Sequence, residues 1–245
     1  MKRFLINALL LLAPVSVYAA GGGVHLDKAN IDPNNIQSLQ RGAKMFVNYC
    51  LSCHSAELMR YERIGKDLGI EDKLVMENLV FTGGKLSDLM TVATADADSK
   101  EWFGTVPPDL TVIARARGAD WLYSYMRSFY RDDSKIIGVN NLVFPDVGMP
   151  HVLWELQGWQ EPVLKTVKDA QGNKSKTVTL ELVEPGLMSP KEYDRAIRDL
   201  VNFLDYMGEP AKHERKALGV KVIMFLLVFL IVAYMMKREF WKDIH

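Results

Sequence analysis

"CLSCH", residues 50–54, holds both cysteines of the chain with a histidine directly behind them. Two thiols at this spacing have three chemistries open to them: a redox dithiol, half of a zinc site, or the attachment point of a haem. A structural zinc ion takes four ligands, and His25, His151, His213 and His245 have no paired spacing to supply the missing ones. A thioredoxin-like dithiol opens a helix inside a strand-helix-strand unit, whereas this pair follows one. Upstream, Ile36, Leu39, Ala43, Phe46, Val47 and Cys50 recur at steps of three, four and one, which gives a helix a single apolar face ending on the motif. Neither zinc nor dithiol chemistry uses His54. Covalent haem uses all three residues: the thiols add to two vinyl groups as thioethers, and the adjacent imidazole becomes an axial ligand of the iron.

Outward from the motif, the composition is that of a folded chain, with 245 residues, 49% of them hydrophobic, and thirty basic side chains against thirty acidic ones. That balance excludes a disordered tail and a highly basic nucleic-acid binder, so no nucleic-acid partner is expected. The two ends depart from the average. Residues 1–20, "MKRFLINALLLLAPVSVYAA", begin with Lys2 and Arg3, run through an apolar stretch and finish in small residues, the pattern of a cleaved secretory signal. "LGVKVIMFLLVFLIVAYMM", Leu218 to Met236, is long enough at about 1.5 Å per residue to cross a bilayer core of about 30 Å. Positive charges stand at both ends (Lys212, Arg215 and Lys216 before it with Lys221 near its start, Lys237, Arg238 and Lys242 after), so they give no orientation. The signal does: residues 21–211 are expected to be an exported domain, 212–236 a basic linker and transmembrane helix, and 237–245 a cytoplasmic tail. In a bacterium this puts the chain in the inner membrane with its large domain in the periplasm.

Within the exported domain, residues 60–99 read as loops and short helices with a turn at Gly83-Gly84, and "PPDLT" (107–111) interrupts regular structure. "DWLYSYMRSFY" reads as a helix with Trp121, Leu122, Tyr125 and Phe129 on its core face, followed by a loop, "VFPDVGMPHVLW". Two short β-rich segments around a polar turn at Gly172 predict a peripheral hairpin. The last helix is the best marked: Ser189 as N-cap, Pro190 at the first position and Glu192 closing a capping box, with Tyr193, Ile197, Leu200, Val201 and Leu204 as its buried stripe. Helices near both ends of the domain thus carry apolar faces suited to packing together. The expected fold is mainly α, a cytochrome c-like haem domain with a small β-hairpin insert and one C-terminal transmembrane helix.

The iron's sixth position decides function, since a methionine there gives a low-spin, electron-transferring centre. Most of the twelve methionines sit at core-filling helical spacings or in the anchor, which leaves Met149 in "VGMPH" and Met188 in "GLMSP". Met188 is preferred because a packed helix capped at Ser189 fixes its position; Met149 is a rival, and His151 a weaker one.

In order, "CLSCH", "PPDLT", "ARARGADWLY", "FPDVGMP", "LMSPKEYDRAIRDLVNFLDYMGEP" and the basic "HERKALGVK" before a single anchor resemble the cytochrome c1 family, the haem subunits of the ubiquinol:cytochrome c reductase (cytochrome bc1) complex, in its proteobacterial form. The resemblance implies one covalent haem c per chain, anchored by Cys50 and Cys53 with His54 as proximal and Met188 as distal ligand. It implies that Pro107 and Pro108 lie against the haem, where a backbone carbonyl accepts the other N–H of the imidazole. It also implies that Arg117 and Trp121 lie near a haem propionate. The loop between Arg117 and Asp120 looks shorter than in mitochondrial relatives. The function implied is a non-catalytic relay: one electron arrives from the Rieske iron–sulfur protein and leaves to a soluble cytochrome c, with cytochrome b and membrane lipid as further neighbours. Asp96, Asp98 and Glu101 are candidates for attracting a basic cytochrome, and equally for an ordinary solvated face. The alternatives are a membrane-anchored c-type cytochrome of another respiratory complex and, from a different class, an exported thiol–disulfide oxidoreductase.

Overall fold

The computed structural model describes residues 25–81, 84–168 and 174–242; the expected signal (1–20), Gly83 and the Gly172 turn lie outside the described residues. Helix α1 (Ile36–Tyr49) starts where the Asn35 side chain accepts the Ser38 amide at 3.0 Å, and it ends on the cysteine motif. Strand β1 (Ala56–Arg60), helices α2 (Tyr61–Leu68) and α3 (Asp72–Asn78), and a two-residue strand β2 (Leu89–Met90), antiparallel to β1, form the first loop-rich stretch. Helix α4 (Asp96–Phe103) precedes the Pro107-Pro108 segment, which is followed by α5 (Ile113–Arg117) and α6 (Ala119–Arg127). The chain then extends into β3 (Phe129–Arg131), antiparallel to β4 (Val139–Asn141). The short helix α7 (Trp154–Gln157) leads into a hairpin of β5 (Gly158–Lys168) and β6 (Lys174–Pro185), and α8 (Pro190–Gly208) and α9 (Lys212–Phe240) complete the chain.

The core is built on α1 against α8. Leu39, Ala43 and Phe46 from one helix and Ile197, Leu200 and Phe203 from the other are buried, with the Phe46 and Phe203 rings 5.7 Å apart. The axes approach closely at Gly42, where a Cβ would stand 2.1 Å from the Asp199 carbonyl oxygen. Polar pairs pin the same crossing: Ser38 Oγ donates to Asp199 Oδ1 at 2.6 Å, and Arg41 forks onto both Asp199 oxygens at 2.6 and 3.0 Å. The expected packing between helices from the two ends of the domain is therefore present. Helix α6 lies on the other flank of α8, and the Tyr193 hydroxyl ties the two by donating to the Met126 carbonyl at 2.8 Å.

Two elements differ from their sequence reading. The expected helix over "DWLYSYMRSFY" ends at Arg127, and Phe129 reaches the core from β3 instead, because Ser128 leaves helical geometry and β4 supplies a strand partner. The hairpin is longer than two short segments, with an unbroken ladder from Gln160↔Leu182 to Lys168↔Lys174. The capping box is formed as read: the Glu192 amide donates to Ser189 Oγ at 3.4 Å, and the Ser189 amide donates to Glu192 Oε2 at 2.9 Å. Helix α9 is continuous through the basic linker. Its stretch Leu218–Phe240 contains an 18-residue window of mean hydropathy 2.6, none of which is buried against the rest of the chain.

Candidate haem site

The cysteine motif is a turn appended to α1. The Cys50 amide still donates to the Phe46 carbonyl at 2.8 Å, as a further helical residue would. The Cys53 and His54 amides then both fold back onto the Cys50 carbonyl, at 3.1 and 2.9 Å. This turn presents both thiols and the imidazole to one cavity of about 310 Å³. Cys50 is buried, and burial, aided by the nearby Cys53, pushes its thiol up to about 12, which disfavours the thiolate that dithiol redox chemistry needs.

His54 is held from behind. Its Nδ1 lies 2.8 Å from the Pro108 carbonyl oxygen. A carbonyl only accepts, so Nδ1 carries the hydrogen and Nε2 keeps the lone pair a metal needs. Burial pulls the imidazole pKa down, with the Pro108 bond and the Asp109 charge acting against it, which favours the neutral ring that coordinates. Proline suits this position because it sets a rigid extended chain without a backbone N–H. Asp109 next to it anchors the segment, its Oδ2 accepting the Glu57 amide at 2.7 Å and its Oδ1 the Thr111 amide at 2.8 Å.

The cavity walls are mostly apolar, with Tyr49, Phe103, Trp121, Tyr125 and Phe144 as aromatic faces, as a flat macrocycle requires. Of the residues expected there, Cys50, Cys53, His54, Pro107, Pro108, Arg117 and Trp121 all line it. The Arg117 guanidinium stacks over the Trp121 ring at 5.1 Å and lies 5.9 Å from the centre of Phe144, placing one fixed cation in an otherwise apolar lining. Such a cation matches the carboxylates that a haem carries on one edge. The donor set, the tautomer forced on His54 and the apolar walls together fit covalent haem.

The methionines divide. Met149 lines the cavity and accepts a hydrogen bond from the Tyr125 hydroxyl to its Sδ at 3.4 Å. Met188 is not among the described residues that line it; it is half-buried against the core, and its amide donates to the Leu156 carbonyl at 3.1 Å beside the hairpin base. The capping box at Ser189 does fix Met188, but it fixes it on α7. His151 also stays out of the lining: it is buried with its ring parallel to Phe129 at 4.9 Å and edge-on to Trp159, and burial pushes it down to about 4. Tyr125 and Phe144 are lining residues that the sequence reading did not single out for the site. Tyr125 was legible only as a core position on its helix.

A Cys-X-X-Cys-His motif that fits haem, a predominantly helical domain around it and, among the described residues, one long apolar helix towards the C-terminus define a membrane-anchored c-type cytochrome. The profile of the Cytochrome C1 family matches residues 28–244. The chain is 50% identical over 245 residues to the cytochrome c1 of Allochromatium vinosum, with 100% of each covered. It is also 48% identical to a protein of Nitrosomonas europaea named ammonia monooxygenase gamma subunit, over 100% of this chain and 99% of that one. To the mitochondrial cytochrome c1 haem protein of Neurospora crassa it is 27% identical, over 84% of this chain and 62% of that one. The chain belongs to the cytochrome c1 family: it is an electron-transfer subunit of the cytochrome bc1 complex, a class that carries covalently bound haem c.

Proposed function

We propose that the chain relays single electrons from the Rieske iron–sulfur protein to a soluble cytochrome c, beside cytochrome b, on the periplasmic side of the bacterial inner membrane. Cys50 and Cys53 are the thioether anchors, and His54 and Met149 are the axial ligands. The observation that carries this reading is the meeting of His54, its Nδ1 committed to Pro108, with Met149 in one apolar cavity. Met149 thereby replaces Met188, the ligand expected from the sequence. Haem c in this cavity supplies a one-electron iron couple, and a methionine ligand raises its potential. The chain's own residues supply the rest. Pro108 holds the imidazole in register, Arg117 neutralises carboxylate charge, and the aromatic walls exclude water.

Orientation rests on the signal read in residues 1–20, which makes the domain from residue 21 to residue 211 the exported part and residues 237–245 the inner tail. Exposed Asp96, Asp98 and Glu101 on α4 support docking of a basic acceptor, because Phe103 at the end of the same helix lines the cavity.

Substitution separates the two methionines. Met149→Leu is expected to abolish the weak methionine-to-iron charge-transfer absorption and lower the midpoint potential, and Met188→Leu to preserve both. The reverse pattern returns the sixth position to Met188. Mild detergent extraction tests the assembly: co-purification with a cytochrome b and a Rieske protein is expected, and co-purification with a different oxidase or oxygenase instead overturns the partner assignment.

A further inference from the structure

We propose that Tyr125 is a positioning residue for the redox centre, its phenolic O–H holding the Met149 sulfur and raising the potential of the iron that the sulfur ligates. This rests on the Met149 reading above and adds to it a group that never touches the metal. The contact has only one polarity: a thioether sulfur accepts and the tyrosine hydroxyl donates, across 3.4 Å. A thioether carries two lone pairs, so a hydrogen bond to one leaves the other for a metal.

The phenol is held as firmly as such a role needs. Its ring is stacked on Trp121 at 4.9 Å and 10°, and meets Phe129 edge-on at 5.1 Å. Its backbone carbonyl accepts the side-chain amide of buried Asn141 at 2.8 Å. Trp121 lies under the Arg117 guanidinium, so the same stack carries the cavity's cation at one end and the sulfur's donor at the other.

The direction of the effect follows from electron demand. Hydrogen bonding draws density from the sulfur, which weakens its donation to iron. The ferric state is the more electron-poor and loses more stabilisation by this than the ferrous state, so the couple moves to higher potential.

Tyr125→Phe removes the hydroxyl and keeps the stacked ring, which separates hydrogen bonding from packing. In the haem-loaded full chain purified in detergent, potentiometric titration is expected to show the reduced-to-oxidised ratio at fixed ambient potential falling about tenfold, which for one electron is about 59 mV. Added imidazole is expected to displace the sulfur from the ferric form only at higher concentration than in the parent, because a sulfur freed of its hydrogen bond donates more strongly to ferric iron. The thermal midpoint, which reports packing, is expected to stay close to the parent's. A Tyr125→Phe titration that matches the parent within twofold, or moves to higher potential, overturns the proposal while Met149→Leu still loses the charge-transfer band. If Met149→Leu keeps that band, the ligand assignment fails first and the role of Tyr125 goes with it.

Discussion

At position 42 a side chain has nowhere to go: its Cβ would meet the Asp199 carbonyl oxygen at 2.1 Å and the Phe203 Cβ at 2.6 Å. Neither obstacle is the end of a flexible side chain, so the helices themselves must part. Gly42→Ala is therefore expected to destabilise the domain by about 2–3 kcal/mol, seen as a lower denaturant midpoint with the slope unchanged. Gly208 offers the contrast, because the nearest atom to a Cβ there is Arg115 Cγ at 3.1 Å, on a side chain able to swing aside. At this scale the sequence revealed the residues whose chemistry is local. Cys50, Cys53 and His54 are read together because their spacing is their function. Met149 and Met188 sit in equally plausible loops, and only tertiary contacts decide that one loop crosses the cavity while the other is stitched to Leu156. Local order at the Ser189 cap says that Met188 is fixed, not what it faces.

Elements were legible where their signals are carried by neighbours in sequence, as at the Ser189 capping box, the apolar face of α1 and the span within α9. They were obscure where a partner strand decides, as at Phe129, whose core position fits a helix period but is reached from β3. The joint between α8 and α9 illustrates how little need hold two elements together. Glu209 accepts from Arg215 Nε at 2.5 Å and faces Arg115 Nη1 at 3.7 Å, while Lys212 donates to Asp205 at 2.7 Å. The Arg215 hydrogen bond, with further help from the surrounding cations, holds the Glu209 carboxyl below its ordinary value. A depressed carboxylate contributes its stability above the ordinary glutamate range, about 4.3, and loses it as pH falls through the lower folded value. Spin labels placed on either side of the joint are expected to give a narrow distance distribution at neutral pH that broadens on acidification below that range. Glu209→Gln should already be broad at neutral pH.

Over the whole molecule, equal numbers of acids and bases hide a separation of charge. Basic residues gather beside the membrane span, and Asp96, Asp98 and Glu101 stand on a helix that ends at the cavity. Neutralising all three acids as Asn or Gln is expected to slow the reduction of a basic soluble cytochrome by about tenfold at low ionic strength, as followed by stopped-flow absorbance. The difference should vanish in high salt, where the Debye length falls to about 3 Å. Unchanged low-salt kinetics would return these acids to an ordinary solvated face.

The α1–α8 crossing also bears on timing. Ser38 finds Asp199 across 161 positions of chain, so the helix that delivers the cysteines is made early, and the helix that covers it is among the last parts to follow. A contact this distant in sequence cannot close until the intervening chain has followed α1. Until then Cys50, buried in the finished domain, is open to whatever installs its thioether bond. The long loop thus leaves an interval for covalent modification, and closure of the last soluble helix ends it.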